Sequence, residues 1–158
     1  MSITDKTPPE KTAVILIGIP ASGKSSFFAT FCKGKYTHIN LDTLRTRKKE
    51  ASLLAECLME SESFVVDNTN LLKSDRQRYI VPAKAERYRV EGYFFQSVLA
   101  DCIERNKKRS GKARIPDAVI TSKSNMLELP VIDEGFDELF LVKLNKGRFL
   151  IEQWTSQT

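Results

Sequence analysis

The chain has 158 residues, 41% of them apolar and 28% charged, with a formal net charge of +5. Those values suit one soluble domain that can bury a sizeable core without a disulfide or structural metal, and they leave little room for a second domain. Three scattered cysteines (Cys32, Cys57 and Cys102), with His38 the single histidine, argue against zinc and against a disulfide scaffold.

In chain order, residues 1–11 read as a loose polar leader without the apolar core of a signal peptide. Residues 12–158 are expected to form the single domain. The run AVILI (13–17) has the continuous apolar character of a strand covered on both faces of a parallel sheet. The longest apolar stretch, residues 13–21, contains glycine and proline and is far too short to span a membrane. A glycine-rich loop follows it, then an expected helix over 24–31 and a short strand over 36–39. Asn40 or Asp42 is positioned to cap the next helix, in which Leu53, Leu54, Cys57 and Leu58 share a face. Further elements are expected as a strand over 63–66, a helix over 74–87, a strand over 88–96 and a helix over 98–109. Pro116 opens another helix running to about residue 127. Two strands, 137–144 and 148–154, flank Asn145-Lys146-Gly147, which reads as a hairpin turn. Strands alternating with helices give an α/β fold with a mainly parallel central sheet flanked by helices. The cysteines fall in or beside helical stretches as small core residues, and free thiols suit a reducing, cytoplasmic setting.

The loop Gly18-Ile19-Pro20-Ala21-Ser22-Gly23-Lys24-Ser25 fits the phosphate-cradling pattern G-x-x-x-x-G-K-[ST]. Glycines let the backbone curl so that N–H groups point inward, and the helix that follows adds the partial positive charge of its N-terminus. Gly18, Pro20, Ala21, Ser22, Gly23, Lys24, Ser25 and Ser26 are therefore the candidate nucleotide contacts. Lys24 is placed for the β- and γ-phosphates, and the Ser25 hydroxyl for Mg²⁺. No N-K-x-D-like guanine-reading motif is present, so ATP is the expected nucleotide.

Phosphoryl transfer also needs an acceptor side and charge neutralisation. Asp42 lies just past the second strand, at the carboxyl edge where open α/β sheets bind ligands. It reads either as a general base or as a helix cap. Arg45, three residues on, is placed to hold an acceptor phosphate or to pair with Asp42. Asp67 ends the third strand like a second magnesium-site acid, although Asp67-Asn68-Thr69-Asn70 also suits a turn. Six basic residues against one acid between positions 103 and 114 carry a local +5, which suggests a lid over phosphate at about 103–116. Within it Arg105 and Arg109 share the spacing of one helix face, with Arg114 beyond; a solvated basic helix end is the plainer reading.

Together these pieces resemble the polynucleotide 5′-hydroxyl kinase family, P-loop kinases of the AAA-like, zeta-toxin-related group. The resemblance rests on the phosphate loop, Asn40-Leu41-Asp42-Thr43-Leu44-Arg45, Asp67-Asn68-Thr69-Asn70 and the lid motif Arg105-Asn106-Lys107-Lys108-Arg109. The segment from Glu128 to Phe136 also resembles one that follows the lid in animal kinase-phosphatases. The resemblance implies an arginine-rich helical lid, with Lys24, Asp42 (the general base) and Arg109 (on the transferring phosphoryl) as catalytic residues. It implies that Arg105 and Arg109 contact nucleotide, that Arg45, Asp67 and Asn68 lie on the substrate side, and that Ser25 and Asp67 take the metal. The cofactors would be ATP and Mg²⁺, and the acceptor a 5′-hydroxyl end of RNA or DNA. No D-x-D-G-T-like phosphatase motif is present. A small-molecule kinase acting on a nucleoside, sugar or antibiotic is the alternative, and a non-catalytic nucleotide-binding regulator a second one. Oligomeric state is not legible.

Overall fold

The computed structural model describes residues 10–154. Nearly all of the expected leader, and the last four residues of the expected domain, lie outside that range. The elements are β1 (Thr12–Ile17), α1 (Lys24–Phe31), β2 (Thr37–Ile39), α2 (Leu41–Leu44), α3 (Arg47–Glu60), β3 (Phe64–Val66), α4 (Lys73–Ala85), β4 (Arg89–Phe95), α5 (Leu99–Lys107), α6 (Asp117–Met126), β5 (Glu138–Asn145) and β6 (Arg148–Gln153). Short 3₁₀ turns cover Gly111–Ala113 and Ile132–Glu134.

The six strands form one sheet in the order β2-β3-β1-β4-β5-β6. All neighbours run parallel except the last pair, β5 and β6, which are antiparallel. Their hairpin turns through Lys146 and Gly147, both at positive φ (50° and 77°), the geometry that matches the twist of flanking strands. β1 is central, which explains its uninterrupted apolar sequence. Ala13, Ile15 and Ile17 pack into one layer with Leu54, Tyr79 and Phe136. Val14 and Leu16 pack into the other with Phe27, Tyr93 and Phe140. A third cluster joins the phosphate loop to α5 and α6 through Ile19, Ala21, Leu71, Cys102 and Ile120. All three cysteines are free and buried.

Two local differences from the sequence reading affect the site. The stretch after β2 is two helices rather than one. Arg45 adopts a left-handed conformation (φ 74°) and its N–H closes α2 onto the Leu41 carbonyl at 2.6 Å. Thr46 then caps α3 by accepting from the Lys49 N–H. Asp42 and Arg45 therefore do not share a continuous helical face, and no ion pair joins them among the described residues. The second difference is in the basic segment expected to form a lid, where α5 ends at Lys107 and Arg109 follows it. The cause is Asn106, a buried residue whose amide donates to the Ile115 carbonyl (2.6 Å) and accepts from its N–H (3.1 Å). That clasp pulls the chain back into a loop, so Arg105 and Arg109 leave the common helix face.

A buried ion pair fixes the connection after β3. Arg76 is fully buried, its Nε and Nη2 meeting Glu134 at 2.7 and 3.0 Å. Its remaining Nη1 donates to the carbonyls of Asn70 and Leu71. The Glu134-Gly135-Phe136 segment thus anchors the loop that carries Asp67 to Asn70.

Candidate functional site

The site is assembled where β1, β2, β3 and β4 end on the same edge of the sheet. After β1 the chain turns through Gly18 to Gly23. A Cβ on Gly18 would sit 2.8 Å from the Ser22 hydroxyl, and Gly23 has φ 106°, a conformation costly for any side chain, at the N-cap of α1. The Gly18 N–H is tied to the Thr69 carbonyl at 2.9 Å, so the loops after β1 and β3 support each other. Lys24 is buried with its ammonium folded into the loop. It donates to the carbonyls of Gly18 and Ile19 at 2.8 Å each and to the Ser22 hydroxyl at 3.4 Å. Burial pulls its pKa down from 10.5 to about 8; the Asp67 carboxylate opposes this and the charges of Arg109 and Lys123 reinforce it. Asp67, Arg109 and Lys123 thus lie within electrostatic reach of one ammonium.

Asp67 is 2% exposed. Its Oδ2 accepts from the Ser25 hydroxyl at 3.4 Å and lies 2.8 Å from Nε2 of His38. A hydroxyl and a carboxylate side by side are hard oxygen donors of the kind magnesium takes, in the small number it accepts from protein. The residues present therefore fit Mg²⁺ bound with nucleotide. No group of three or more His, Cys, Asp or Glu suited to a metal occurs among the described residues.

Asp42 is exposed on the single turn of α2. That turn is pinned at its start. Asn40 caps it by accepting from the Thr43 N–H, and donates to the Asp67 carbonyl at 2.6 Å. Asn68 accepts from the Leu41 N–H at 2.8 Å. The Asn68 amide nitrogen donates to Glu50 (2.9 Å) and to the Tyr79 hydroxyl (3.1 Å). Glu50, 2% exposed, also accepts from Arg47 and Tyr79. Both ends of the Asn68 amide are thus engaged, holding the Asp42 turn against the end of β3.

Arg45 is exposed beside this turn. With Arg47, Lys48 and Lys49 it makes four basic residues in five positions, all exposed. The sequence reading located the positive charge only at the lid; acids elsewhere conceal this second cluster in the net charge. The two arginines of the basic segment, Arg105 and Arg109, have different partners. Arg105 is half-buried and donates to the Ala21 carbonyl of the phosphate loop at 2.6 Å. Arg109 is exposed, with a 3.5 Å contact to the Ala113 carbonyl. Pro20, Ala21, Ser22 and Ser26 lie on the loop or first helical turn as expected, Ala21 at positive φ (65°). Sequence reasoning had Asn40 as a helix cap, which it is, but missed its tie to Asp67, and missed His38 and Lys123 as parts of the site. The dense polarity of 38–42 at a strand end was the available signal for Asn40 and His38; Lys123 carried none.

No helix among the described residues is long and apolar enough to cross a membrane. The profile of the AAA domain family matches residues 14–130. A bifunctional polynucleotide phosphatase/kinase of Schizosaccharomyces pombe is 27% identical over 135 residues, covering 83% of this chain and 33% of that protein. A putative bifunctional polynucleotide phosphatase/kinase of Acanthamoeba polyphaga mimivirus is 37% identical over 82 residues, 51% of this chain and 20% of that protein. The chain therefore spans a third or less of the length of these curated relatives. Among solved structures, a gluconokinase from Sinorhizobium meliloti superimposes with a TM-score of 0.62 at 19% identity, covering 86% of this chain and 84% of that one. Chaetomium thermophilum Kti12 does so with a TM-score of 0.62 at 17% identity, covering 83% and 88%. With a phosphate loop feeding α1 on a mainly parallel sheet and a family match across most of its length, the chain belongs to the AAA domain family and has the P-loop kinase fold.

Proposed function

We propose that the chain is an ATP-dependent phosphotransferase that moves the γ-phosphate to a 5′-hydroxyl end of RNA or DNA. The observation that supports this reading is the pinning of the Asp42 turn to the end of β3 at Asp67 and Asn68. Asn40 and Asn68 tie the start of the α2 turn that carries Asp42 to the strand end holding the acid beside Ser25. That pinning supports Asp42 as the base for an acceptor hydroxyl.

In this mechanism the phosphate loop and α1 hold the triphosphate, and Lys24 exchanges its loop carbonyls for β- and γ-phosphate oxygens. Ser25 and Asp67 would hold Mg²⁺, which supplies charge neutralisation on the phosphates when bound. Asp42 takes the proton of the acceptor hydroxyl as its oxygen bonds to γ-phosphorus. The bond from γ-phosphorus to the bridging oxygen breaks, and ADP leaves. Arg109 faces the charge on the transferring phosphoryl, and Arg105 braces the lid on Ala21. Arg45 meets the acceptor's phosphate, and Asn68 acts on the acceptor side through the turn it holds. The exposed basic run at 45–49 favours a polyanionic acceptor, whose binding weakens steeply with salt. The relatives named as polynucleotide phosphatase/kinases support the same acceptor class. A small-molecule acceptor is the second reading, favoured by the fold shared with a gluconokinase.

The test offers γ-labelled ATP and magnesium with 5′-hydroxyl RNA, 5′-hydroxyl DNA, nucleosides and sugars. Label on an oligonucleotide is expected. Label on a nucleoside or sugar with none on either oligonucleotide overturns the nucleic-acid assignment.

A further inference from the structure

Three consecutive residues at the end of β2 grip Asp67 by three different groups. The Ile39 carbonyl accepts from the Asp67 N–H at 2.8 Å, and the Asn40 amide donates to the Asp67 carbonyl at 2.6 Å. His38 meets the carboxylate itself, Nε2 to Oδ2 at 2.8 Å. The backbone contacts already fix the main chain, so His38 adds control of one thing only, the rotation of the carboxylate. The ring is itself held in place. It stacks on Phe28 of α1, centroids 3.8 Å apart and planes 19° apart. A carboxylate oxygen only accepts, so the ring nitrogen facing it carries the proton. The oxygen it engages is the one that also receives the Ser25 hydroxyl.

We propose that His38 is a positioning residue for the metal side of the site: braced on Phe28, it holds the Asp67 carboxylate in the orientation that, with Ser25, sets the affinity for nucleotide-bound divalent metal. This rests on the reading of Ser25 and Asp67 as the metal-holding pair. Partners that orient a ligating group typically matter by about 10- to 100-fold in metal affinity. A purely structural role predicts something else: lost stability on removing the ring, with unchanged metal affinity in whatever remains folded.

The experiment measures Mn²⁺ binding by electron paramagnetic resonance, with a non-hydrolysable ATP analogue present, for the wild type, His38→Leu, His38→Gln and Asp67→Asn. Leucine keeps bulk without a donor, whereas the glutamine amide reaches the place of Nε2. Nucleotide affinity in EDTA is measured alongside. The expected result is Mn²⁺ affinity lowered about 10- to 100-fold in His38→Leu and largely restored in His38→Gln, with metal-free nucleotide affinity unchanged. Wild-type Mn²⁺ affinity in His38→Leu, or equal losses in the leucine and glutamine variants, overturns the role of His38. If His38→Leu does not fold, His38→Asn replaces it, its amide being too short to reach. Asp67→Asn separates the two levels of the argument: wild-type Mn²⁺ affinity in that variant removes the metal assignment itself, whatever His38 does.

Discussion

Lys24 gives the sharpest quantitative handle on the donor site. Burial lowers its pKa from 10.5 to about 8 while its ammonium is folded onto the loop carbonyls. A bound triphosphate surrounds the same ammonium with negative charge, which favours the protonated form and raises the pKa in the complex. The sign follows from linkage. The complex binds the proton more tightly than the free protein does, so affinity is fully present below pH 8 and declines as pH rises through it. A terminal phosphate sheds its last proton near pH ~6, so the nucleotide's own titration lies outside this window. With a free-state value near 8, the dissociation constant should roughly double by pH 8 and rise about tenfold by pH 9. Isothermal titration of ATP from pH 7 to 9.5, in pairs of buffers with different ionisation enthalpies, reads both the affinity and the protons. Uptake approaching one proton per nucleotide is expected at pH 9. A flat dissociation constant without proton uptake refutes the depressed lysine.

The remaining predictions concern the acceptor side, the lid and the frame. Asp42→Asn should lower turnover by about 10²–10⁴ with ATP affinity intact, since it removes a base and no nucleotide contact; full transfer in a rapid-quench assay removes that role. Arg109→Ala should lower kcat by about 10³ or more, whereas Arg105→Ala should chiefly increase proteolytic nicking between residues 107 and 114, because Arg105 braces the lid on Ala21. Asn68→Leu removes a donor from buried Glu50 and releases the Leu41 N–H, costing about 1–3 kcal/mol in thermal unfolding together with a fall in kcat; unchanged kcat would detach Asn68 from the orientation of Asp42. Arg76→Ala leaves Glu134 buried without its partner and should cost about 3–5 kcal/mol in urea titration.

The sequence by itself determined the donor half. The apolar run of β1, the glycine-rich loop and α1 are consecutive, and each is specified by residues within a few positions of one another: continuous burial for the strand, small residues for the turn, phenylalanines at 27, 28 and 31 at helical spacing after it. The helix over 24–31 was legible to the residue. So was the mainly parallel sheet, because strands and helices alternate. Asp42 and Asp67 were legible as site candidates because each follows a strand whose end lies on the ligand-binding edge of an open α/β sheet.

What only the tertiary structure decided is which groups meet across that edge. His38 faces Asp67 across 29 positions of sequence, Ser25 faces it across 42, and Arg105 meets Ala21 across 84. The first two depend on β3 lying between β2 and β1 in the sheet, and the third on β4 lying beside β1, an order that no local pattern encodes. The same holds where local spacing misled. Four positions between Arg105 and Arg109 imply a shared face only while the helix continues, and the Asn106 clasp on Ile115 ends it first. Three positions between Asp42 and Arg45 imply a shared face only until Thr46 offers Lys49 a better cap. The phosphate loop was written in adjacent residues because its chemistry is backbone chemistry. The expected acceptor side was not, because Asp42, its braces Asn40 and Asn68, and the acid Asp67 come from two strand ends, those of β2 and β3, that only the sheet brings together.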